Sequence, residues 1–118
     1  MNNPRAVVDN FLRAVREGRL GDARTHLADN LVFRGPFDSF DDPDSYLAAL
    51  KKLYPIIKSV QIERVFQDGD DVCFLYTMHT NTAIGSALIC EWFKVRGDRI
   101  RSIRAVFDAR PFAPMFSK

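Results

Sequence analysis

The sequence predicts an α+β domain, three N-terminal helices packed on one face of a curved antiparallel sheet. Three observations predict it. Apolar residues before Pro55 recur mostly at helical spacing, whereas everything after Lys58 is strand-like. The connections Asn81-Thr82-Ala83 and Arg96-Gly97-Asp98 are short enough for antiparallel hairpins. The only strand-like run among the helices is Asn30 to Arg34, stopped by Gly35-Pro36.

Each element has its own signals. Asn3 followed by Pro4 is an N-cap with proline at the first helical position. Val8, Phe11, Leu12 and Val15 then form one apolar stripe, and Gly18 ends the helix. A second, shorter helix is expected over about Asp22 to Ala28, with Ala23 and Leu27 inward and Leu20 packing just before it. After the acidic loop Asp38 to Asp42, Pro43 opens a third helix whose apolar face is Tyr46, Leu47, Leu50, Leu53 and Tyr54. Pro55 breaks that helix. Val60 to Phe66, Asp71 to Thr80, Ile84 to Arg96 and Arg99 to Phe107 form a four-strand meander, its first turn marked by Gln67-Asp68-Gly69-Asp70. The tail Pro111-Phe112-Ala113-Pro114-Met115-Phe116 is expected to be irregular yet packed, over the sheet end, a pocket mouth or a partner.

The bulk numbers bound the function. A chain of 118 residues, 47% hydrophobic with ten phenylalanines, is expected to be one domain (1–118) with a real core. Net charge is +2, from 17 basic and 15 acidic side chains, which argues for neither nucleic acid nor membrane. No apolar run approaches the roughly 18 residues that span a bilayer. With no secretory signal at the N-terminus, a cytoplasmic setting with Cys73 and Cys90 as free thiols is expected. His26 and His79 stand far apart, and neither a metal-ligand spacing nor a Gly-rich phosphate loop is present, so no cofactor is expected.

Glu91 is the residue that points to chemistry. It lies inside the apolar strand Ile84 to Val95, where an ionised carboxylate costs several kcal/mol unless paired, hydrogen-bonded, protonated or facing a cavity. Such a group is a candidate acid or base. Alternation puts Glu91 on one face with Gly85, Ala87, Ile89 and Phe93, and places it beside Phe74 or Val72 of the preceding strand. The Tyr76 hydroxyl then lies at a diagonal cross-strand position and is its expected partner. Set against this is a structural carboxylate, hydrogen-bonded to Tyr76 or paired with an arginine. Asp38 is a further candidate near the mouth, against its reading as a solvated loop carboxylate. Tyr46, Tyr54 and Tyr76 can orient a substrate; for the first two, packing with a satisfied hydroxyl is the favoured reading. Arg34 is expected in a salt bridge, and His26 and His79 at the surface or an interface.

The opposite sheet face carries Leu75, Leu88, Cys90 and Trp92, which a monomer leaves wet. A homodimer through this face is expected. The basic C-terminal third (Lys94, Arg96, Arg99, Arg101, Arg104, Arg110) lacks the interleaved aromatics of a nucleic-acid surface and reads as a solvated strand face.

Three segments resemble the nuclear-transport-factor-2-like superfamily, the cone-shaped fold of ketosteroid isomerases and SnoaL-like polyketide cyclases. They are Ala6-Val7-Val8 with Phe11-Leu12 and Gly18 before Leu20; Leu27 to Pro36; and Glu91-Trp92-Phe93-Lys94-Val95 with Ile103 to Phe107. The resemblance covers nearly the whole chain. It implies a cone enclosing an apolar pocket, lined on this chain by Phe11 and Val15, by Phe33, Tyr76 and Met78, and by Ile89, Glu91, Phe93, Ala105 and Phe107. It places Glu91 where ketosteroid isomerase keeps a protonated aspartic acid that donates to the oxyanion. The base aspartate of that enzyme corresponds to Gly35 and its oxyanion tyrosine to Phe11, which argues against steroid isomerisation of that type. An Asp-Arg-Asp relay of the limonene-epoxide-hydrolase kind is not visible at the inward strand positions. The SnoaL-like group, with varied acids and bases in the same cone, is the better comparison. It implies a cofactor-free isomerase, cyclase or dehydratase acting on a small apolar carbonyl compound through Glu91 and Tyr76. The alternative is a non-catalytic domain of the same fold that binds a hydrophobic ligand or another protein.

Overall fold

The computed structural model describes residues 3–116, with the backbone alone at 115 and 116. Helix α1 (Pro4–Arg16) starts where expected, its Asn3 side chain accepting from the Ala6 N–H at 3.3 Å. Helix α2 (Leu20–Thr25) is followed by β1 (Leu27–Arg34) and the short β2 (Ser39–Phe40). Helix α3 (Pro43–Leu53) is capped by Asp42, whose carboxylate accepts from the Ser45 N–H at 2.7 Å. The meander is β3 (Ile57–Asp68), β4 (Asp71–Thr80), β5 (Ser86–Arg96) and β6 (Arg99–Phe107).

The six strands form one sheet in the order β2-β1-β6-β5-β4-β3. Four differences from expectation have physical causes. The second helix stops earlier because Leu27 pairs with Ile100 and joins the sheet as β1, in parallel with β6. The sheet is therefore mixed, antiparallel everywhere except at that junction. Strand β2 folds back on β1 through Phe33–Phe40, a pairing two residues long that leaves no periodic signature. The tail is regular: a 3-10 turn (Arg110–Phe112) leads into α4 (Ala113–Phe116), and Phe112 is buried against Phe107 with ring centroids 5.3 Å apart.

Register shifts fall at Ile62/Arg64 between β3 and β4 and at Lys94/Val95 between β5 and β6. Such bulges bend a strand and add twist, which is what curls this sheet around the helices. The core fills the narrow end of the cone. Val8 and Phe11 of α1, Phe74, Phe93, Leu31 and Ile103 are fully buried there. Phe11 meets Phe93 edge-on at 6.4 Å, and Phe93 meets Phe74 at 5.9 Å and 84°.

The outer face of the sheet is uncovered. Phe66, Leu88, Trp92 and Val106 are exposed there, while Cys73 and Cys90 are half-buried free thiols. The Trp92 indole N–H donates to Asp71 at 2.8 Å, and Lys94 sits over the same ring. Among the described residues no helix is long and apolar enough to cross a membrane.

Candidate functional site

Glu91 sits at the middle of β5, opposite Phe74 of β4 and Ala105 of β6. The methyl of Ala105 leaves room beside the carboxyl that a larger side chain would fill. Toward the wide end of the cone the inward residues enclose a cavity of about 630 Å³. Phe33, Tyr76, Met78, Ile89, Glu91, Ala105 and Phe107 line it, and so does Asp38 at its exposed rim.

Phe11, Val15 and Phe93 do not line it. Phe11 and Phe93 are locked in the aromatic packing of the closed end, and Val15 lies partly buried against the same cluster. Periodicity, helical for Phe11 and Val15 and alternating for Phe93, gave their face and could not give their depth along the cone.

Apart from Tyr46, offered as a residue that can orient a substrate, the sequence reading missed the helix wall. Tyr46, Ala48, Ala49, Lys52 and Leu53 of α3 face the cavity, and Phe112 closes it from the tail. The consecutive small residues Ala48-Ala49 were the available signal, because a helix face left short opposite a sheet leaves space. Gly35 also lines the cavity, and a Cβ placed on it would meet the Phe33 ring at 3.1 Å.

Glu91 is only 9% exposed. The Tyr76 hydroxyl donates to its Oε1 at 3.2 Å, across the diagonal set by Phe74 facing Glu91. Among the described residues no lysine, arginine or histidine forms an ion pair with Glu91. Burial raises the Glu91 carboxyl from its ordinary range to about 7, and the Tyr76 hydrogen bond pulls the other way by less. Burial, reinforced by the Glu91 charge, drives the Tyr46 and Tyr76 phenols well above their ordinary value. At neutral pH the site thus holds a carboxyl divided between acid and base forms, with two neutral phenols in an apolar chamber.

The remaining candidates are structural. Arg34 pairs with Asp41 at 2.8 Å and donates to the Phe33 and Phe40 carbonyls, which fastens the β1–β2 corner. His79 faces outward and bonds the Ser86 hydroxyl at 2.6 Å. Among the described residues no group of His, Cys, Asp and Glu is arranged to hold a metal ion.

The family model for the SnoaL-like domain matches residues 8–103. Solved structures with similar architecture include a nuclear-transport-factor-2-like protein of unknown function from Cytophaga hutchinsonii, with TM-score 0.81 and 23% identity over 99% of this chain and 97% of that one. An M. tuberculosis epoxide hydrolase of the limonene-epoxide-hydrolase-like kind is similar at TM-score 0.76 and 22% identity, over 92% of this chain and 85% of that one. A nuclear-transport-factor-2-like protein from Burkholderia xenovorans is similar at TM-score 0.78 and 15% identity, over 94% and 93%. No curated protein matches the chain. At these identities the structural likeness speaks to the fold alone.

Proposed function

The chain belongs to the SnoaL-like domain family, and from that premise we propose that it is a cofactor-free enzyme that moves a proton on a small, largely apolar, carbonyl-bearing molecule. One observation carries the reading: a buried carboxyl raised to about 7, bonded to a tyrosine, on the wall of an otherwise apolar cavity. As a base, the Glu91 carboxylate takes the hydrogen from the carbon next to the carbonyl. The C–H electron pair moves into the carbon–carbon–oxygen system as an enolate, and Glu91 returns the proton at a different atom. Isomerisation, cyclisation and dehydration all pass through such a step. A positioned acid or base contributes roughly 10²–10⁴-fold. Tyr76 orients the carboxyl and holds its tendency to stay protonated in check.

Incubation in D₂O with a panel of alkyl and aryl ketones tests this, with NMR reading wash-out of the α-hydrogens. Exchange above buffer is expected for at least one ketone, and Glu91→Gln should lose about 10²–10⁴-fold of it with ligand affinity largely kept. A second reading, a binding module, draws on the position of the other charged lining residues: Asp38 and Lys52 are exposed at the mouth, which leaves Glu91 without a charged companion deep in the cavity among the described residues. Under that reading no ketone exchanges in the wild type, and Glu91→Gln changes affinity alone.

We further propose that the outer sheet face joins two copies of the chain. Leu88 and Val106 are more than half exposed, with Phe66 and Trp92 beside them, an apolar surface of the kind that marks an interface. Sedimentation equilibrium at micromolar concentration is expected to give a dimer, and a clean monomer would sink the idea.

A further inference from the structure

Tyr46 offers a hydrogen bond that nothing among the described residues takes. Its ring is fixed in the first turn of α3, behind the Asp42 cap, and stacks on Phe33 at 4.8 Å and on Phe11 at 6.4 Å, each at 22°. Phe40 closes the third side at 6.2 Å. With the ring held on three sides, the hydroxyl has one place to be. A buried tyrosine hydroxyl ordinarily finds a partner, yet among the described residues this one has no hydrogen bond. The same residues include no buried side-chain oxygen or nitrogen sealed off without a partner. The Tyr46 oxygen therefore opens onto the cavity its residue lines. Tyr76, by contrast, already donates to Glu91. The Ser45 hydroxyl is likewise engaged, with Asp42. Among the described hydroxyls that line the cavity, that of Tyr46 is the one left to donate.

We infer that the Tyr46 hydroxyl docks the ligand's oxygen: the cavity selects a flat apolar molecule whose carbonyl accepts from Tyr46 while its ring lies among Phe33, Phe107 and Phe112. The assignment rests on the cavity being the ligand site and extends the proposed chemistry. As Glu91 draws the α-proton, negative charge grows on the carbonyl oxygen, and a donor preset at that oxygen strengthens its bond as the charge develops. No proton leaves Tyr46; it stabilises by donation alone. This also assigns a role to the helix wall that the strand pattern left blank.

Two probes of matched shape isolate the contact. 2-Acetylnaphthalene carries the carbonyl oxygen, and 2-isopropenylnaphthalene carries a methylene in its place. Titration followed by naphthalene fluorescence is expected to show wild-type protein preferring the ketone about tenfold, the worth of one well-made hydrogen bond. Tyr46→Phe should abolish the preference while leaving the hydrocarbon's affinity within about twofold. Glu91→Gln, which keeps Tyr46, should retain it. A preference that survives Tyr46→Phe, or that disappears in Glu91→Gln, overturns the assignment while leaving the Glu91 exchange experiment untouched. Equal binding of both probes by wild type overturns it even if the Tyr46→Phe variant does not fold. Failure of wild type to bind either probe overturns both this inference and the cavity reading beneath it.

Discussion

On β5, Phe93 and Glu91 face the same way two residues apart, yet Phe93 is sealed in aromatic packing while Glu91 opens onto a cavity. The strands do not differ between the two ends; what covers them does. At the closed end, α1 presses Val8 and Phe11 onto the sheet, and Phe74, Phe93 and Ile103 answer from below. At the open end, α3 offers Ala48 and Ala49, and among the described residues Phe112 of the tail adds to the cover. Tyr76 packs against both clusters and marks the border. One sheet thus supplies a stabilising core and an open chamber, and the size of the helix side chains above decides which is which.

The sharpest way to break this comparison is to remove bulk at each end. Phe93→Ala leaves a void among residues that cannot collapse and should cost about 3–5 kcal/mol in urea unfolding. Ile89 borders space that already exists, so Ile89→Ala is expected near the low end of its class, about 2 kcal/mol. Equal costs at the two positions would mean that the cavity end is packed as tightly as the core.

A nearly equal effect is expected from pH, and it belongs to the open end alone. The Glu91 carboxyl is raised from 4.5 to about 7 in the folded chain. Between those values the unfolded chain is ionised at this position while the folded chain still holds its proton. The stabilising contribution is therefore full below about 4.5, declines as pH rises and is gone above about 7. The difference is about 3 kcal/mol. Glu91→Gln does not titrate there, so wild type should lose that much against the variant between pH 4.5 and 7.5 in paired denaturation curves. A constant difference across this range would mean that the carboxyl is solvated.

The same contrast explains what could be read from the sequence. Strand β4 was legible to its ends because alternation ran unbroken from the Gly69 turn, and β6 was bounded by the Gly97 turn, both glycines at positive φ. The bond between Tyr76 and Glu91 was legible because hairpin register is a local property. The parallel pairing of Leu27 with Ile100 was not, since it joins residues far apart in the chain and nothing local distinguishes Leu27-Ala28 from a continuing helix. Nor was the depth of Phe11 and Phe93, or the cavity wall formed by Ala48, Ala49 and Lys52. Periodicity tells which way a side chain points; where a helix comes to rest above it is decided by the tertiary packing.

The smallest effect tests how the two chemical groups at the border are coupled. The Tyr76 hydroxyl bonds Glu91 and favours its ionised form. Tyr76→Phe removes that donor while keeping the ring, so the Glu91 carboxyl should rise above about 7. Turnover that needs the carboxylate as base increases with pH through this midpoint. The variant would then shift the rise to higher pH and lose a few-fold of activity at pH 7. Turnover that needs the acid form falls through the same midpoint, and the same substitution would gain at most about twofold at pH 7, where about half of the carboxyl is already protonated. The midpoint moves upward in both cases, so the sign of the change at pH 7 identifies the form of Glu91 that acts. A midpoint that stays in place would mean that the bond to Tyr76 exerts no hold on the carboxyl, and the open end would then owe its chemistry to burial alone.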